Sequence, residues 1–303
     1  LTLFASLFVL SASAQYTIWT VFDTLDYEFS NRYSFNDDKR DYPEQSVYWN
    51  HGILTIGTLQ DTLPFNQGGF YINFTDTLGN VVWLKKYMFQ NSSQISARRL
   101  LVVNSSRFYV IGNTLSDGLK TFVSKFNAQG DSIFYKEYQN DNPVNHMDLI
   151  VKHTVQDSTT LDNTANADSL LLLSNEAINY NSEQRLSKLW VLDSLGNRRL
   201  AYTSSIDSKR NFRIIAHKNH YYAGGTDYYD GWGHGEIDVF GADLQLKTTL
   251  ELDYADYGPK YFSQFLPWDD TLHAIFYFGD VFAPNANSDS RYFDTHVTNS
   301  SIT

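Results

Sequence analysis

The sequence contains no cysteine among its 303 residues. This absence excludes disulfide bonds, catalysis by a thiolate and cysteine-ligated iron–sulfur clusters. Exported eukaryotic domains often contain disulfides. The absence of cysteine therefore favours a bacterial origin for this chain if it is exported.

Positive charge is scarce as well. The chain has 23 Lys and Arg against 34 Asp and Glu, a formal net charge of −11. A field of this sign repels polyanions on average, so we predict no nucleic-acid partner. The acidity is typical of a protein kept soluble by its surface charge.

Local catalytic signatures are absent from the sequence. It has no G-x-S-x-G, no H-E-x-x-H, no P-loop and no G-x-G-x-x-G. A calcium-loop pattern fails at Tyr229, where a ligand oxygen is required. We therefore predict no metal site and no cofactor, and we favour a binding protein over an enzyme.

Long apolar runs are missing except at the start. Residues 1–15 read LTLFASLFVLSASAQ, an apolar run that ends in an A-x-A cleavage pattern. We interpret 1–14 as a cleaved signal peptide and expect a secreted or cell-surface protein. No other stretch is long enough to insert the mature chain into a membrane.

Aromatic residues and turn-forming residues are plentiful. Aromatics make up 16% of the chain, which favours strands, and almost no segment has helical periodicity. A phrase of alternating apolar residues, a small residue and a polar one recurs roughly every 50 to 60 residues. Its copies are Ile56-Gly57-Thr58, Ile111-Gly112-Asn113, Leu173-Ser174-Asn175, Gly224-Gly225-Thr226 and Phe278-Gly279-Asp280.

A second phrase, a hairpin turn, recurs in step with the first. An Asp or Asn opens it and a Gly stands near its end, as in 76–80, 127–131 and 193–197, with a degenerate copy at 241–245. One repeat then reads as strands over 97–103, 107–113, 119–127 and 132–138. Four antiparallel strands in about 50 residues form one propeller blade.

The predicted fold is an all-β propeller of four-stranded antiparallel blades, with about five blades over residues 45–303. Residues 15–44 form an N-terminal strand segment. Two closures are open. Strand 16–22 completes a five-bladed ring, or the chain is part of a ring of six to eight blades.

The Ser-Ala-Ser-Ala-Gln end of the leader, the D-x-L-G-N turns and the aromatic strands resemble secreted bacterial propeller proteins exported by the type IX route. The resemblance lies in repeat style over most of the chain. It implies export and surface display and names no substrate.

One loop between second and third strands stands out. Residues 226–235 combine aromatics, carboxylates, a histidine and glycines. Trp232 or Tyr228 is suited to stacking on a sugar ring, with Asp230 and His234 bonding to its hydroxyls. The alternative is a self-packed loop whose aromatics cover the blade edge.

Polar residues on the innermost strands are the second candidate site. Arg98, Asp148, Arg213 and Gln264 are expected to line the central channel. They either bind a ligand there or pair with one another and with trapped water.

Other polar pairs are assigned to turns. Asp269-Asp270 and the turn between His217 and His220 fall at the first hairpin of a blade, where Asn50-His51 also falls.

The leading hypothesis is an exported propeller that binds a glycan or a protein. The alternatives are a secreted glycoside hydrolase that uses channel carboxylates such as Asp148, and a spacer domain of a larger surface protein.

Overall fold

The computed structural model describes most of the chain beyond residue 38. The described residues are 39–61, 67–90, 95–114, 120–152, 169–178, 184–204, 210–227, 234–252, 260–268, 271–278, 291–298 and 301. The predicted signal peptide and strand 16–22 lie outside them. Within these residues the structure contains no helix of the length and apolar character needed to cross a bilayer.

The described residues form five consecutive antiparallel sheets. The first contains β1 (Lys39–Trp49), β2 (Gly52–Asp61), β3 (Gln67–Asp76) and β4 (Val81–Gln90). The second contains β5 (Ile95–Asn104), β6 (Arg107–Thr114), β7 (Lys120–Asn127) and β8 (Ser132–Gln139). The third contains β9 (Val144–Val151), β10 (Leu170–Ala177), β11 (Arg185–Leu192) and β12 (Arg198–Thr203). The fourth contains β13 (Arg210–His217), β14 (His220–Asp227), β15 (His234–Phe240) and β16 (Leu246–Glu251). The fifth contains β17 (Lys260–Trp268), β18 (Thr271–Phe278) and β19 (Arg291–Val297).

The sheets are the blades of a β-propeller, as predicted. Strand order within each sheet follows the chain, and the first strand of each sheet contacts the first strand of the next, from β1 to β5, β9, β13 and β17. These first strands are therefore the innermost strands, around the propeller axis. Strand β1 begins at Lys39, ahead of residue 45 where blades were expected to start.

The middle strands of the second, third and fourth blades are buried on both faces because a neighbouring blade covers each face. Strand β10 (LLLLSNEA) is buried at every position, whereas the outermost strand β8 is exposed at half of its positions. A continuous apolar run thus marks a middle strand and a polar alternating run an outer one.

Packing between the first two blades is aromatic. Phe70 of β3 stacks on Phe122 of β7 with ring centroids 5.3 Å apart, and Tyr87 of β4 meets Phe126 of β7 edge-on at 5.2 Å. The interface between the second and third blades is richer in leucine, with Leu149, Leu170 and Leu172 in its core. The aromatic residues therefore pack both within blades, as Phe108 does on Phe126, and between them.

The predicted D-x-L-G-N phrases are the turns between third and fourth strands. Asp76 Oδ1 accepts hydrogen bonds from the Leu78 and Asn80 amides at 2.9 and 2.8 Å. Asn127 and Asp193 hold their turns through the same two contacts. These side chains replace backbone partners that the tight turn lacks.

These turns also lock neighbouring blades together. Tyr87 donates a hydrogen bond to the Gly130 carbonyl of the next blade, and Tyr138 donates to the Gly196 carbonyl of the blade after that. Lys85 binds Asp131 at 2.9 Å at the first of these contacts. The outer strand of one blade is therefore fastened to the turn of the following one.

The corresponding turn of the fourth blade packs against the third blade through apolar contacts. It has Leu244 at the position of the glycine, with a φ of 62°, and Leu244 is buried in the core between the third and fourth blades. The degenerate sequence 241–245 thus forms the same turn as the other copies. Its contact with the preceding blade is apolar, whereas the contacts of Gly130 and Gly196 are hydrogen bonds.

The first repeated phrase was misaligned in two blades. Gly57, Gly112 and Gly225 are equivalent by strand pairing, but their counterparts are Glu176 and Phe276 rather than Ser174 and Gly279. The prediction followed small residues, whereas the register depends on pairing with the inner strand. Only three of the five blades keep glycine at this position.

Gly130 tests the lock between blades. Its φ is 76°, and a Cβ atom placed there would lie 2.7 Å from the Trp83 ring. We expect Gly130→Ala to lower the free energy of unfolding by roughly 2 kcal/mol or more, through backbone strain and overlap. Urea denaturation measures the change. The exposed neighbour Gln129→Ala is the control, and an equal effect of the two substitutions would contradict the account.

Candidate functional site

Every inner strand carries a β-bulge at the same level. One residue in each is skipped in the pairing with the second strand of its blade. A bulge places an extra residue on one strand and re-aims the side chains around it. The skipped residues are Glu44, Arg98, Asn145, Phe212 and Ser263.

The residue after each bulge is of a type that donates hydrogen bonds. In chain order these residues are Gln45, Arg99, His146, Arg213 and Gln264. We call the bulge residues and the residues after them the axial belt. Three predicted channel residues, Arg98, Arg213 and Gln264, belong to the belt, whereas Asp148 lies two positions beyond it.

The belt lies at the end of the propeller where the loops between second and third strands emerge. In the fourth blade the bulge is opposite Gly224 and Gly225, and β14 ends at Asp227 where the 226–235 loop leaves the sheet. The two sites predicted separately therefore share one end of the fold.

Gln45 uses its side chain to join blades. Its Oε1 accepts a hydrogen bond from the Leu100 amide of the next inner strand at 2.8 Å. An inner strand has no neighbour on its axial side, so its outward amides need such partners. The Gln45 contact explains part of the polar character of the belt.

Charged residues on the inner strands of the first three blades form ion pairs with one another. Arg98 Nη1 lies 3.9 Å from Glu44 Oε2, and Arg99 Nε lies 3.7 Å from Asp148 Oδ1. Glu44 belongs to the first blade, the arginines to the second and Asp148 to the third. Charge thus alternates across three blades.

Asp148 occupies a position that is aliphatic in the other blades. Its equivalents by strand pairing are Val47, Leu101, Ile215 and Leu266. Asp148 Oδ2 accepts a hydrogen bond from the Ile214 amide at 3.0 Å, and the side chain is 14% exposed. This carboxylate ties the third blade to both neighbours.

Burial has a larger effect on this carboxylate than its partners have. Loss of solvent raises the pKa of Asp148 to about 6, although Arg99 and two amides oppose the shift. Burial also lowers the pKa of Arg99, against the attraction of Asp148 and Glu44. Both pKa directions favour the neutral forms, so the pair is held by the fold rather than by its own attraction.

The loop candidate is described only at its base. Tyr228, Asp230 and Trp232 lie outside the described residues. His234 is the first residue of β15 and pairs across the hairpin with Asp227 of β14. The predicted hydrogen-bonding histidine therefore stands beside a carboxylate where the loop begins and ends.

A buried polar network supports the base of this loop. Asn211 Nδ2 donates to Asp238 Oδ2 at 3.2 Å, and Thr249 donates to Asp238 Oδ1 at 2.7 Å. Thr226 accepts a hydrogen bond from the Phe262 amide of the fifth blade at 3.0 Å. These bonds fix the two strands that carry the loop.

Sequence reasoning missed a buried ion pair in the third blade. Lys188 Nζ lies 2.8 Å from Glu176 Oε2, and the Glu176 side chain is 1% exposed. Glu176 replaces the glycine of the repeat, and its other carboxylate oxygen has no hydrogen-bond partner. The available signal was a glutamate three residues after the apolar run of four leucines in β10 (LLLLSNEA).

The histidines near 217–220 flank a turn, as expected. Lys218 and Asn219 have φ values of 43° and 60°, and Asn50 and His51 have 47° and 59°. Two positive φ values are typical of a tight type I′ hairpin. Asp269-Asp270 lies outside the described residues. The described residues contain no group of three His, Asp or Glu placed to hold a metal.

No family model matches the chain, and no curated protein matches it. Among solved structures, the chain is similar to an exo-β-1,3-galactanase from Phanerochaete chrysosporium, at 11% identity and a TM-score of 0.46. The match covers 84% of this chain and 60% of the galactanase, so this chain is matched to less than two thirds of it.

Two further solved structures are similar to the chain at comparable values. The β-propeller domain of the Trilobed protease from Pyrococcus furiosus matches at 10% identity and a TM-score of 0.39, over 85% of this chain and 82% of that one. Drosophila Plexin A in complex with Semaphorin 1b matches at 8% identity and 0.49, over 85% and 52%. At these values no activity or ligand carries over to this chain.

The raised pKa of Asp148 predicts a pH effect on stability. The folded chain binds this proton more tightly than the unfolded chain, so the contribution is present below the ordinary value of 3.8 and is lost as pH rises towards 6. Relative to Asp148→Asn, the unmodified chain should lose up to about 3 kcal/mol over this range.

Urea unfolding of both chains at a series of pH values measures the difference. The control is Asp243→Asn, because hydrogen bonds from Lys247 and the Gln245 amide lower the pKa of this exposed turn residue. It should leave the pH dependence above about pH 4.5 unchanged. A constant difference between the unmodified chain and Asp148→Asn would refute the assignment.

Proposed function

We propose that the chain is an exported binding module and that its ligand is a glycan. The observation that carries the proposal is the axial belt, where all five inner strands have Gln, Arg or His after an equivalent bulge. Side chains of these types supply N–H donors, and a few convergent polar groups are what fixes a small ligand. A sugar offers many hydroxyl acceptors to such donors.

The 226–235 loop supplies the second half of the proposed site. In the proposal, Trp232 or Tyr228 stacks on a sugar ring while Asp230 and His234 bind its hydroxyls. Aromatic side chains with one polar edge suit this task because they bury a large apolar area at low entropic cost. The loop leaves β14 at the end of the fold where the belt lies.

Hydrolysis is the weaker hypothesis. Glycoside hydrolysis uses two carboxyl groups on either side of the scissile bond, roughly 5–10 Å apart. The proposed hydrolase candidate, Asp148, instead accepts the Ile214 amide and faces Arg99. Glu44, the other carboxylate near these arginines, lies beside Arg98. Both groups have contacts that explain them without a reaction.

The binding proposal predicts that Trp232→Ala strongly weakens glycan binding. The purified chain from Gln15 onward is applied to a glycan array, and the affinity for any hit is then measured by titration. Loss of stacking should lower the affinity by about tenfold or more. Tyr48→Ala is the matched control, because Tyr48 is 64% exposed and adjoins the hairpin at the opposite end of β1.

Release of reducing sugar is followed in parallel. Saturable binding without turnover, lost in Trp232→Ala and kept in Tyr48→Ala, supports the proposal. Turnover would replace it with the hydrolase hypothesis. A folded chain that binds no glycan would overturn it in favour of a protein partner or a spacer role.

A further inference from the structure

Two arginines stand side by side at the axis of an acidic protein. Arg98 is the bulge residue of β5 and Arg99 follows it, whereas the chain as a whole has a net charge of −11. Positive charge is scarce here, so two adjacent arginines on an inner strand need a local explanation. Guanidinium groups are the side chains best matched to carboxylate and sulfate oxygens.

The internal partners of these arginines leave their donors underused. The contacts to Glu44 and Asp148 are 3.9 and 3.7 Å long, beyond the 2.7–3.2 Å of an N–H···O hydrogen bond. The carboxylates therefore offset the charges without bonding tightly to the N–H groups. The Arg98 side chain is 48% exposed and the Arg99 side chain 22%, so both can be reached from solvent.

We infer that an anionic group of the ligand, a carboxylate or a sulfate, binds between Arg98 and Arg99, and that Asp148 competes with it for Arg99. The inference rests on the proposed glycan function and deepens it, because it names an acidic glycan as the ligand. The equivalent residues in other blades are aliphatic, so Asp148 is not required to complete a blade.

The competition makes binding depend on pH. Asp148 has a pKa of about 6 because it is buried, so it is largely neutral at pH 5 and ionised at pH 7.5. The neutral form no longer offsets the Arg99 charge, and an incoming anion is then held more strongly. The charged or titratable residues near Asp148 on β9 and on the strands packed against it are Arg98, Arg99, His146, Glu176 and Arg213.

The test is isothermal titration with three trisaccharides, one bearing a uronate, one a sulfate and one neutral. For at least one acidic ligand we expect a Kd about tenfold lower at pH 5 than at pH 7.5, a typical size for coupling between sites. The Kd of the neutral ligand should change much less, because that ligand brings no negative charge to Arg99. Comparison of the two acidic ligands identifies the carboxylate or the sulfate as the preferred group.

Two variants locate the effect. Asp148→Asn should bind the acidic ligand at pH 7.5 about tenfold more tightly than the unmodified chain does, and the pH dependence of its affinity should fall to that seen with the neutral ligand. Arg98→Gln, a change at a half-exposed side chain, should weaken acidic binding about tenfold and neutral binding much less, because glutamine keeps N–H donors but not the charge. Asp243→Asn removes the same charge at a distant exposed turn and should keep the original pH dependence.

The outcomes separate this inference from the glycan proposal. Equal affinity for acidic and neutral ligands, or unchanged pH dependence in Asp148→Asn, overturns the inference and leaves glycan binding in place. If no glycan binds, inorganic sulfate is titrated instead. If sulfate binds and Arg98→Gln removes this binding, the anion site stands and the glycan proposal is overturned. If sulfate does not bind, both are overturned.

Discussion

The second, third and fourth blades each depend on two neighbours to cover their two apolar faces. Strand β10 is buried along its whole length, which one sheet alone cannot achieve. The blades are therefore stable only in contact with each other. The contacts between them determine how neighbouring blades pack. Aromatic stacking joins the first two blades, while tyrosines fasten the outer strands to the glycine turns. Because the inner strands of successive blades lie next to each other around the axis, their polar side chains come close together there.

Near the axis, polar and charged side chains take the place of the apolar contacts found between the blades. An inner strand has unpaired amides on its axial side, and Gln45 and Asp148 each accept one from the following blade. Asp148 does so with a charged group, although a buried carboxylate destabilises the fold unless it is well paired. The same burial raises the pKa of Asp148. We place the proposed ligand at the belt because a residue of hydrogen-bond-donating type follows an equivalent bulge in each of the five inner strands, two positions before this carboxylate in the third blade.

Much of the fold could be predicted from the sequence because its signals are local. Turn residues such as Asp76 and Asp193 act on their own backbone, so their spacing gives the blade repeat directly. The predicted strands of the second blade match β5 to β8 within a few residues. The alignment of the third and fifth blades was wrong because register is set by partner strands, and Glu176 and Phe276 replace the glycine there. The Glu176–Lys188 pair was missed for the same reason.

The candidate site was predictable in part. The inner strands and their polar residues could be identified, but the pairing of Arg99 with Asp148 depends on contacts between blades that no single strand encodes. The central claim is that the belt and the 226–235 loop form one binding surface. Hydrogen–deuterium exchange with and without a saturating acidic trisaccharide tests it most directly. The account predicts slower exchange in β5, β9 and 226–235 together. Protection confined to the outer strands, or none at all, would contradict it.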